Sequence, residues 1–592
     1  MAIARKTLGI VGSLVLLAGV GIYLGRDSAI VYQLLSQWNC QNSSLAVCNP
    51  PRENAEQLTA TGKNGAVVST QKKASEIGLQ ILQNGGNAID AAVGMGYGLA
   101  VSDPCCGNLG GGGFMLIRLA DGTETFIDFR ETAPGDATKD MYLDEAGNVV
   151  EGLSTRGYLA VGVPGTVKGL EYALTKYGTM QSDRLLQPAI ALAQNGYILQ
   201  EGDVDIFEAG KDRLAEPNVT AIFLREDKVY RPGERLIQRD LANSLRLIAQ
   251  QGSKAFYHGE IAQKIVTASQ ANNGILSLED FANYQVEESA PVRCDYRGYQ
   301  VISAPPPGGG TTVCQILNIL SGYDLKALGN KTPESLHRFF SAMLLGFSDR
   351  NRYLGDPNFV DNPVDQLLSA EYADKLRNQI GDRAINPESV YSNIQSEGTN
   401  TTHYSVVDKE GNAVAVTYTI NSYFGAGVMA PGTGFLLNNE MDDFTSKLGE
   451  ANQFGLRQGE TNLIEPGKRP LSSMSPTIVT KDGKLFLVTG SPGGSTIPTT
   501  VVQVITNAID YGLNLNDAVN SPRLHYQGFP DRIISEPKAL KSTTIKGLQA
   551  KGYKILPFST WGAAESILVN PETGFREGVN DVRKPAGKAL AY

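Results

Sequence analysis

Two adjacent threonines, Thr401 and Thr402, lie where a polar loop that begins near Ser396 turns into a predicted strand. A threonine hydroxyl is a weak nucleophile unless a base lies beside it, and a threonine at a chain terminus can use its own α-amino group, whose pKa is near 8. An internal threonine reaches that state only if the peptide bond before it is cut. Taken alone, the same residues are also typical of an ordinary strand.

A second candidate is the segment Ser491–Ser495, with the sequence SPGGS, between a predicted strand and the predicted helix Pro498–Tyr511. The backbone N–H groups of successive glycines at such a turn can bind an anion. The same arrangement forms an oxyanion hole, which stabilises the negative oxygen of an acyl-transfer intermediate. The alternative is a tight turn without a chemical role.

Two other glycine-rich segments do not fit a nucleotide site. Gly107–Gly113 follows a predicted helix and leads into a strand, whereas a dinucleotide fingerprint follows a strand and opens a helix, and no P-loop lysine is present. We expect close backbone packing or substrate shaping from this segment. Pro305–Gly310 has the composition of a rigid turn.

Metal and serine chemistry are not indicated. The chain has four histidines, and neither H-E-x-x-H, C-x-x-C nor G-x-S-x-G occurs, so we expect no metal and no cofactor. His337 is expected to pack in a helix rather than react. The six cysteines can pair in fifteen ways, and buried free thiols are an equal alternative.

The elements that must position these segments follow from hydrophobic periodicity and turn residues. The predicted helices include Lys72–Gln83, Asn87–Val101, Thr166–Tyr177, Arg184–Gln194, Asp240–Gln251 and Pro333–Tyr353. Four hairpins are predicted, Phe114–Leu119 with Thr123–Phe129, His403–Val407 with Ala413–Ile420, Pro476–Thr480 with Leu485–Thr489, and Ser566–Val569 with Phe575–Gly578. This pattern predicts helices packed on one or two antiparallel sheets.

The composition and the N-terminal residues indicate the class of protein and its location in the cell. A hydrophobic content of 42% with 19% charged residues is typical of a globular chain, and a net charge of −9 argues against nucleic-acid binding. Thr7–Leu24 carries no charge and follows Arg5 and Lys6. At about 1.5 Å per residue it nearly spans a bilayer. We predict that residues 1–26 are an uncleaved membrane anchor or a signal peptide, followed by a linker at 27–64, with the rest on the periplasmic or extracellular side.

Several motifs, in one order along the chain, resemble a known family. They are GNLGGGGFML, DFRETAP, TTHYSVVDKEGNAVAVTYTIN, NNEMDDF, KRPLSSMSPTIV and TGSPGGS, and the similarity runs from about residue 65 to Tyr592. Together they closely resemble the γ-glutamyltranspeptidase (glutathione hydrolase) family. The resemblance implies an α+β, four-layer αββα fold of the N-terminal-nucleophile hydrolase type, with two antiparallel sheets between helices.

The resemblance also implies a precursor that cuts itself into two associated subunits, 65–400 and 401–592. The implied cleavage site is Asn400 and Thr401, and the implied catalytic residues are Thr401 as nucleophile, Thr419 as its hydrogen-bonding partner, and Gly493 and Gly494 as the oxyanion hole. His403 would then do no chemistry, because the α-amino group of the new terminus supplies the base.

The implied substrates are glutathione and other γ-glutamyl compounds, with water, an amino acid or a peptide as acceptor. The resemblance assigns Arg130, Ser472 and Ser473 to the α-carboxylate of the γ-glutamyl group, and Asn421, Glu440 and Asp443 to its α-ammonium. The chemistry agrees, because such a head needs one cationic fork and one acidic partner.

One position departs from the family pattern. Bacterial relatives often have a tyrosine near Phe454, within a lid segment that corresponds to Lys447–Gly459, so the resemblance does not imply a phenolic latch here. Two alternatives stay open: an amidase of the same fold that acts on another acyl group, as cephalosporin acylases do, and an unprocessed binding or structural relative. The charged residues named above argue against the first, and the threonines and glycines against the second.

Overall fold

The computed structural model describes residues 58–390 and 401–592. Its strands are β1 Thr59–Gly62, β2 Ala66–Ser69, β3 Gly112–Arg118, β4 Glu124–Phe129, β5 Tyr197–Ile198, β6 Arg235–Leu236, β7 Glu287–Ser289, β8 Val292–Tyr296, β9 Tyr299–Ser303, β10 Thr402–Val407, β11 Ala413–Thr419, β12 Thr477–Lys481, β13 Lys484–Thr489, β14 Leu524–His525, β15 Ile533–Ser535, β16 Ile555–Pro557, β17 Ser566–Val569, β18 Arg576–Val579 and β19 Lys588–Ala591.

The α-helices in the same ranges are Lys72–Gln83, Ala88–Ser102, Thr166–Tyr177, Ser182–Asn195, Glu201–Ala209, Pro217–Phe223, Arg239–Gln251, Lys254–Tyr257, Glu260–Ala271, Leu278–Asn283, Gly310–Leu320, Leu325–Leu328, Pro333–Tyr353, Val364–Leu368, Ala370–Arg377, Ile497–Ile509, Leu515–Asn520 and Ser542–Ala550. Six predicted helices agree with this list to within two residues at each end. Asn87 caps the second helix by accepting hydrogen bonds from the N–H groups of Ile89 and Asp90.

Two seven-stranded sheets organise the molecule. One has the order β1-β18-β17-β13-β12-β9-β8 and the other β19-β2-β10-β11-β3-β4-β7, and every pairing within them is antiparallel. All four predicted hairpins are present. Each sheet combines strands that precede residues 391–400 with strands that follow them.

The sheets face one another across a shared apolar core. In β3, Phe114 and Leu116 belong to the core between the sheets, while Met115 and Ile117 belong to the core beneath the helices. Alternate residues of a strand point to opposite faces, so a strand that is buried on both sides is apolar throughout. Helices cover the outer face of each sheet. The predicted four-layer αββα fold is confirmed.

Three further expectations concern the linker, the membrane anchor and the cysteines. The predicted linker at 27–64 is wrong at its end, because Thr59–Gly62 is an edge strand paired with β18; its sequence TATG is too short to show a strand pattern. The predicted anchor lies outside the described residues, and within them no helix has the length and hydropathy to cross a bilayer. Cys105–Cys106 and Cys294–Cys314 form disulfides, a choice that the sequence left open.

Candidate active site

The predicted nucleophile lies at the centre of the second sheet. Thr401 directly precedes β10, and Thr419 is the last residue of β11. Thr402 pairs with Tyr418, so the same antiparallel register places Thr401 opposite Thr419. Both threonines are buried, with exposed fractions of 5% and 3%. Asn400, on the other side of the predicted cut, lies outside the described residues.

The glycines of Gly107–Gly113 press against this pair of strands. A Cβ atom on Gly111 would lie 1.9 Å from the carbonyl oxygen of Thr419, and one on Gly110 would lie 2.1 Å from that of Leu436. A side chain on Gly111 would displace the backbone of Thr419 itself, and one on Gly110 would displace that of Leu436. The segment therefore provides the close backbone packing that was one of its two expected roles.

A turn after β11 connects the nucleophile to an acidic cluster. The backbone N–H of Asn421 donates to Thr419 Oγ1 at 2.8 Å, and its Nδ2 donates to the carbonyl oxygen of Asn439 at 2.9 Å and lies 3.5 Å from Asp443 Oδ1. Asn421 has φ 73°, a left-handed conformation that asparagine tolerates better than most residues. One residue thus contacts both the reacting end and the charged end of the site.

Arg130 follows β4 and is almost fully buried, with 1% exposed. Its guanidinium pairs with Glu440, donates to Asp443 Oδ2 at 2.5 Å, and donates through Nε to the carbonyl oxygen of Pro470 at 3.3 Å. Glu440 and Asp443 lie on one short 3₁₀ helix, Glu440–Asp443. The structure therefore brings a cationic fork and two carboxylates together, as the sequence predicted for an amino-acid head.

A third carboxylate, Glu131, was missed by the sequence reasoning. It is fully buried, and its Oε2 lies 3.8 Å from Arg130 Nη1. Burial raises the pKa of Glu131 to about 8, and it also raises the pKa of Glu440 and of Asp443, although Arg130 opposes the change. Glu131 stands beside Arg130 in DFRETAP, so a charged pair at the end of an apolar strand was the available signal.

The two predicted serines lie on an adjacent loop. The N–H of Ser472 donates to the carbonyl oxygen of Pro307 at 2.7 Å, and Gly309 N–H donates to the carbonyl oxygen of Met474 at 2.9 Å. The Pro305–Gly310 segment thus forms the predicted turn and supports the serine loop. Ser473 Oγ is buried and has no hydrogen-bond partner within the described residues. A buried hydroxyl of this kind is suited to a ligand atom.

The glycines after β13 form a tight turn into the helix Ile497–Ile509. Gly493 and Gly494 have φ 138° and 53°, in the region that favours glycine, and a Cβ atom on Gly493 would lie 2.5 Å from Thr496 Oγ1. The carbonyl oxygen of Gly493 accepts hydrogen bonds from Thr496. Since the peptide is planar and trans, this fixes the Gly494 N–H in the opposite direction. The strand–turn–helix context expected for an anion site is therefore present.

His403 brings the two halves of the site together. It is two residues after Thr401, and a Cβ atom on Gly490 would lie 2.3 Å from its ring, so the start of β10 packs against the segment that leads to Gly493. Nδ1 of His403 lies 2.9 Å from Thr417 Oγ1 and Nε2 lies 3.2 Å from Ser405 Oγ. Burial lowers its pKa to about 3, so the ring is neutral at ordinary pH.

Known proteins resemble this chain in sequence and in fold. Residues 74–591 match the family model described as gamma-glutamyltranspeptidase. The chain is 51% identical to a glutathione hydrolase proenzyme of Pseudomonas sp. (strain A14), over 91% of this chain and 96% of that protein, and 48% identical to one of Escherichia coli (strain K12), over 90% and 92%. The structure resembles a cephalosporin acylase from Bacillus halodurans with a TM-score of 0.81 at 29% identity, over 92% of this chain and 98% of that one.

The chain belongs to the γ-glutamyltranspeptidase family. It also resembles the solved γ-glutamyltranspeptidase of Helicobacter pylori, with a TM-score of 0.55 at 42% identity, over 58% of this chain and 97% of that one. Like its relatives, this member of the family is an enzyme of the γ-glutamyltransferase and glutathione hydrolase type.

Metal binding has one candidate group in the part of the chain that the structure describes. Asp103, Cys105 and Cys106 present ligand atoms within 4.8 Å of one another. The two cysteines are joined as a disulfide, which removes both thiolates as ligands.

The lid segment of this family member, residues 447–459, lies beside the acidic 3₁₀ helix. Gln458 Nε2 donates to the carbonyl oxygen of Asp443 at 3.1 Å. Phe454 is buried in a cluster with Phe347 and Leu456. It has no hydroxyl with which to fasten the lid, so any fastening must come from other groups.

Proposed function

We propose that this enzyme cleaves the γ-glutamyl amide bond of glutathione and related compounds through a γ-glutamyl ester on Thr401. The observation that carries the proposal is the short path from Thr401 through Thr419 and Asn421 to Asp443 and Arg130. A nucleophile and a binding site for an amino-acid head are thus a few side chains apart, which is what a γ-glutamyl substrate requires.

The proposed reaction needs no proton donor or acceptor other than Thr401, the substrate and the acceptor. The α-amino group of mature Thr401 takes the proton of its own hydroxyl, the oxygen attacks the γ-carbonyl carbon, and the resulting oxyanion accepts hydrogen bonds from the backbone of Gly493 and Gly494. The C–N bond then breaks, and the ammonium of Thr401 returns the proton to the leaving amine. Water, or the amine of an amino acid or peptide, repeats the sequence on the ester and restores the free threonine.

The charged end would hold the substrate's head. The α-carboxylate binds the guanidinium of Arg130, with help from Ser472 and Ser473. The α-ammonium binds Asn421, Glu440 and Asp443. In the structure Arg130 already pairs with Glu440 and Asp443, so a zwitterionic head would replace these internal ion pairs by one between its carboxylate and Arg130 and one between its ammonium and the two acids.

Maturation follows from the same nucleophile. Before cleavage, Thr401 would attack the carbonyl carbon of Asn400, and water would open the ester to give subunits ending at Asn400 and beginning at Thr401. The parts, 65–400 and 401–592, would stay associated because both large sheets contain strands from each. We further propose export, with residues 1–26 as the anchor or signal.

An amidase for other acyl groups is the second candidate, favoured by the similarity to the cephalosporin acylase from Bacillus halodurans. The pairing of Arg130 with Glu440 and Asp443 disfavours it, because an acyl group without an α-amino acid head needs neither charge.

Acid quenching of the matured enzyme with a γ-glutamyl anilide tests the proposal. We expect the smaller subunit to gain the mass of one γ-glutamyl group on Thr401. Turnover without a labelled Thr401 peptide would overturn the assignment of the nucleophile.

A further inference from the structure

Several hydrogen bonds hold the lid segment, residues 447–459, to the rest of the protein. On one side, the N–H of Gln453 donates to Asp442 Oδ2 at 3.0 Å, and Ser422 Oγ donates to Gln453 Oε1 at 2.7 Å. The first contact joins the lid to the 3₁₀ helix that carries the acidic residues of the site, and the second joins it to the turn after β11. They do not reach the opposite side of the lid, around Phe454.

A side chain from a different element contacts that opposite side. The Nε2 group of Gln527, two residues after β14, donates to the carbonyl oxygens of Phe454 at 3.2 Å and Gly455 at 3.3 Å. It also donates to the carbonyl oxygen of Phe529 at 3.0 Å. Gln527 is buried, so this amide would be costly to leave unpaired.

His525 sets the direction in which Gln527 points. Its Nε2 lies 2.9 Å from Gln527 Oε1, and its Nδ1 lies 2.9 Å from Thr499 Oγ1. Because Gln527 uses its NH₂ group on carbonyl oxygens, its Oε1 must accept, and His525 must carry its proton on Nε2. Nδ1 can then only accept, and the single hydroxyl proton of Thr499 is shared between Nδ1 and the carbonyl oxygen of Thr496. The ring of Phe347, which is also in the Phe454 cluster, packs edge-on against His525.

The same chain of hydrogen bonds ends at the oxyanion turn. Thr499 Oγ1 also lies 2.9 Å from the carbonyl oxygen of Thr496, whose own hydroxyl donates to the carbonyl oxygen of Gly493 at 2.8 Å. The lid and the two glycines therefore rest on one scaffold, formed by β14 and the first turn of the helix Ile497–Ile509.

We propose that Gln527, held in place by His525, is the positioning residue that fastens the lid segment against the γ-glutamyl site in this enzyme. The side-chain amide of Gln527 holds the lid by hydrogen bonds to two lid carbonyl oxygens. Phe454 has no hydroxyl and cannot hold the lid in this way. The proposal rests on the proposed function only in taking the site beside Asp443 as the substrate site. Gln527 touches no reacting atom, so its effect is on binding rather than on the chemical step.

The test compares two near-isosteric variants, Gln527→Met, which removes the amide, and Gln527→Glu, which replaces the donor by an acceptor facing two carbonyl oxygens. The first readout is the rate of tryptic cleavage after Arg457, within the lid. The second is KM and kcat for a γ-glutamyl anilide. In both variants we expect tryptic cleavage to be about fivefold to tenfold faster than in the wild type. We expect KM to rise by a similar factor, about fivefold to tenfold, and kcat to change much less.

Gln503→Met is the matched control. Gln503 Nε2 donates to the carbonyl oxygens of Thr499 at 2.8 Å and Leu524 at 2.9 Å, on the same helix and strand, without touching the lid. This variant should keep the wild-type cleavage rate and KM. Wild-type behaviour of both Gln527 variants, or an equal effect of Gln503→Met, would overturn the proposal. Proteolysis needs no activity, so its result stands even if the proposed reaction fails.

Discussion

The carbonyl oxygen of Gly493 accepts two hydrogen bonds from one residue, the backbone N–H of Thr496 at 3.1 Å and its hydroxyl at 2.8 Å. These bonds hold the peptide that joins the two glycines in one orientation. An oxyanion hole depends on donors that are already in place before charge develops, because reorientation during the reaction costs energy. Thr496 thus orients the N–H of Gly494, which is the donor proposed for the oxyanion.

Replacement of Thr496 tests this relationship. Thr496→Val keeps the shape and the backbone N–H but removes the hydroxyl, so we expect kcat to fall about tenfold with little change in KM. Thr496→Ser keeps the hydroxyl and should retain most of the activity. Steady-state kinetics with a γ-glutamyl anilide gives both parameters. An equal loss in the serine variant would assign the effect to the methyl group instead.

Gly494→Val tests the donor more directly. A β-branched residue at φ 53° is strained, and relief of that strain would turn the N–H away from the oxyanion. Each backbone donor there contributes about 3–4 kcal/mol to the transition state, so turnover should fall by at least about a hundredfold. The variant should be assayed after maturation has been checked on a denaturing gel. Near-normal turnover would give these glycines a structural role alone.

Maturation gives a prediction that needs no substrate. The wild type should appear as two chains whose junction lies between Asn400 and Thr401, the smaller having 192 residues. Thr401→Ala should remain one uncut, inactive chain, because the attacking hydroxyl is gone. N-terminal sequencing of the smaller chain is the measurement. A first residue other than Thr401 would be incompatible with the proposed nucleophile.

Local structure was more predictable than long-range contacts. The helices Lys72–Gln83 and Pro333–Tyr353 agree residue for residue, because periodicity and end signals lie within the segment itself. The position of β19 beside β2 had no such signal, since strands far apart in sequence pair through tertiary packing.

The site shows the same division. Motif resemblance supplied Arg130 and Asp443, which the structure joins in an ion pair, but not Glu131, whose significance depends on burial. Gln527 could not be found from the sequence either, because its role depends on a contact with a lid more than 70 residues away.

Stability should depend on pH through His403. Burial lowers its pKa to about 3 in the folded protein, against about 6.5 in an unfolded chain. Between these values the unfolded state binds the extra proton, so stability is lost as pH falls below about 6.5, by up to about 1.4 kcal/mol per pH unit. His403→Gln removes this dependence and should gain relative to the wild type in acid.

Melting temperatures of both proteins between pH 7.5 and pH 5 check this expectation. The exposed His258 provides the control, because His258→Gln removes a histidine without removing a buried one. A difference between wild type and His403→Gln that stays constant over this range would show that His403 does not contribute to the pH dependence.

Recognition of the substrate's head separates the two candidate reactions. Charge-assisted contacts contribute about 1.5–3 kcal/mol each, so loss of one weakens binding roughly tenfold to a hundredfold. Arg130→Lys keeps the charge but not the planar fork, and it should raise KM for a γ-glutamyl anilide. Asp443→Ala should lose the preference for that substrate over the matching glutaryl anilide, which lacks the α-amino group. The reason is that the carboxylate that binds the α-ammonium is absent in this variant. The measurement is kcat/KM for both anilides on the matured wild type and on each variant. A wild type that cleaves both anilides equally well would have no use for Asp443 in recognition, and the amidase function would take the place of γ-glutamyl transfer.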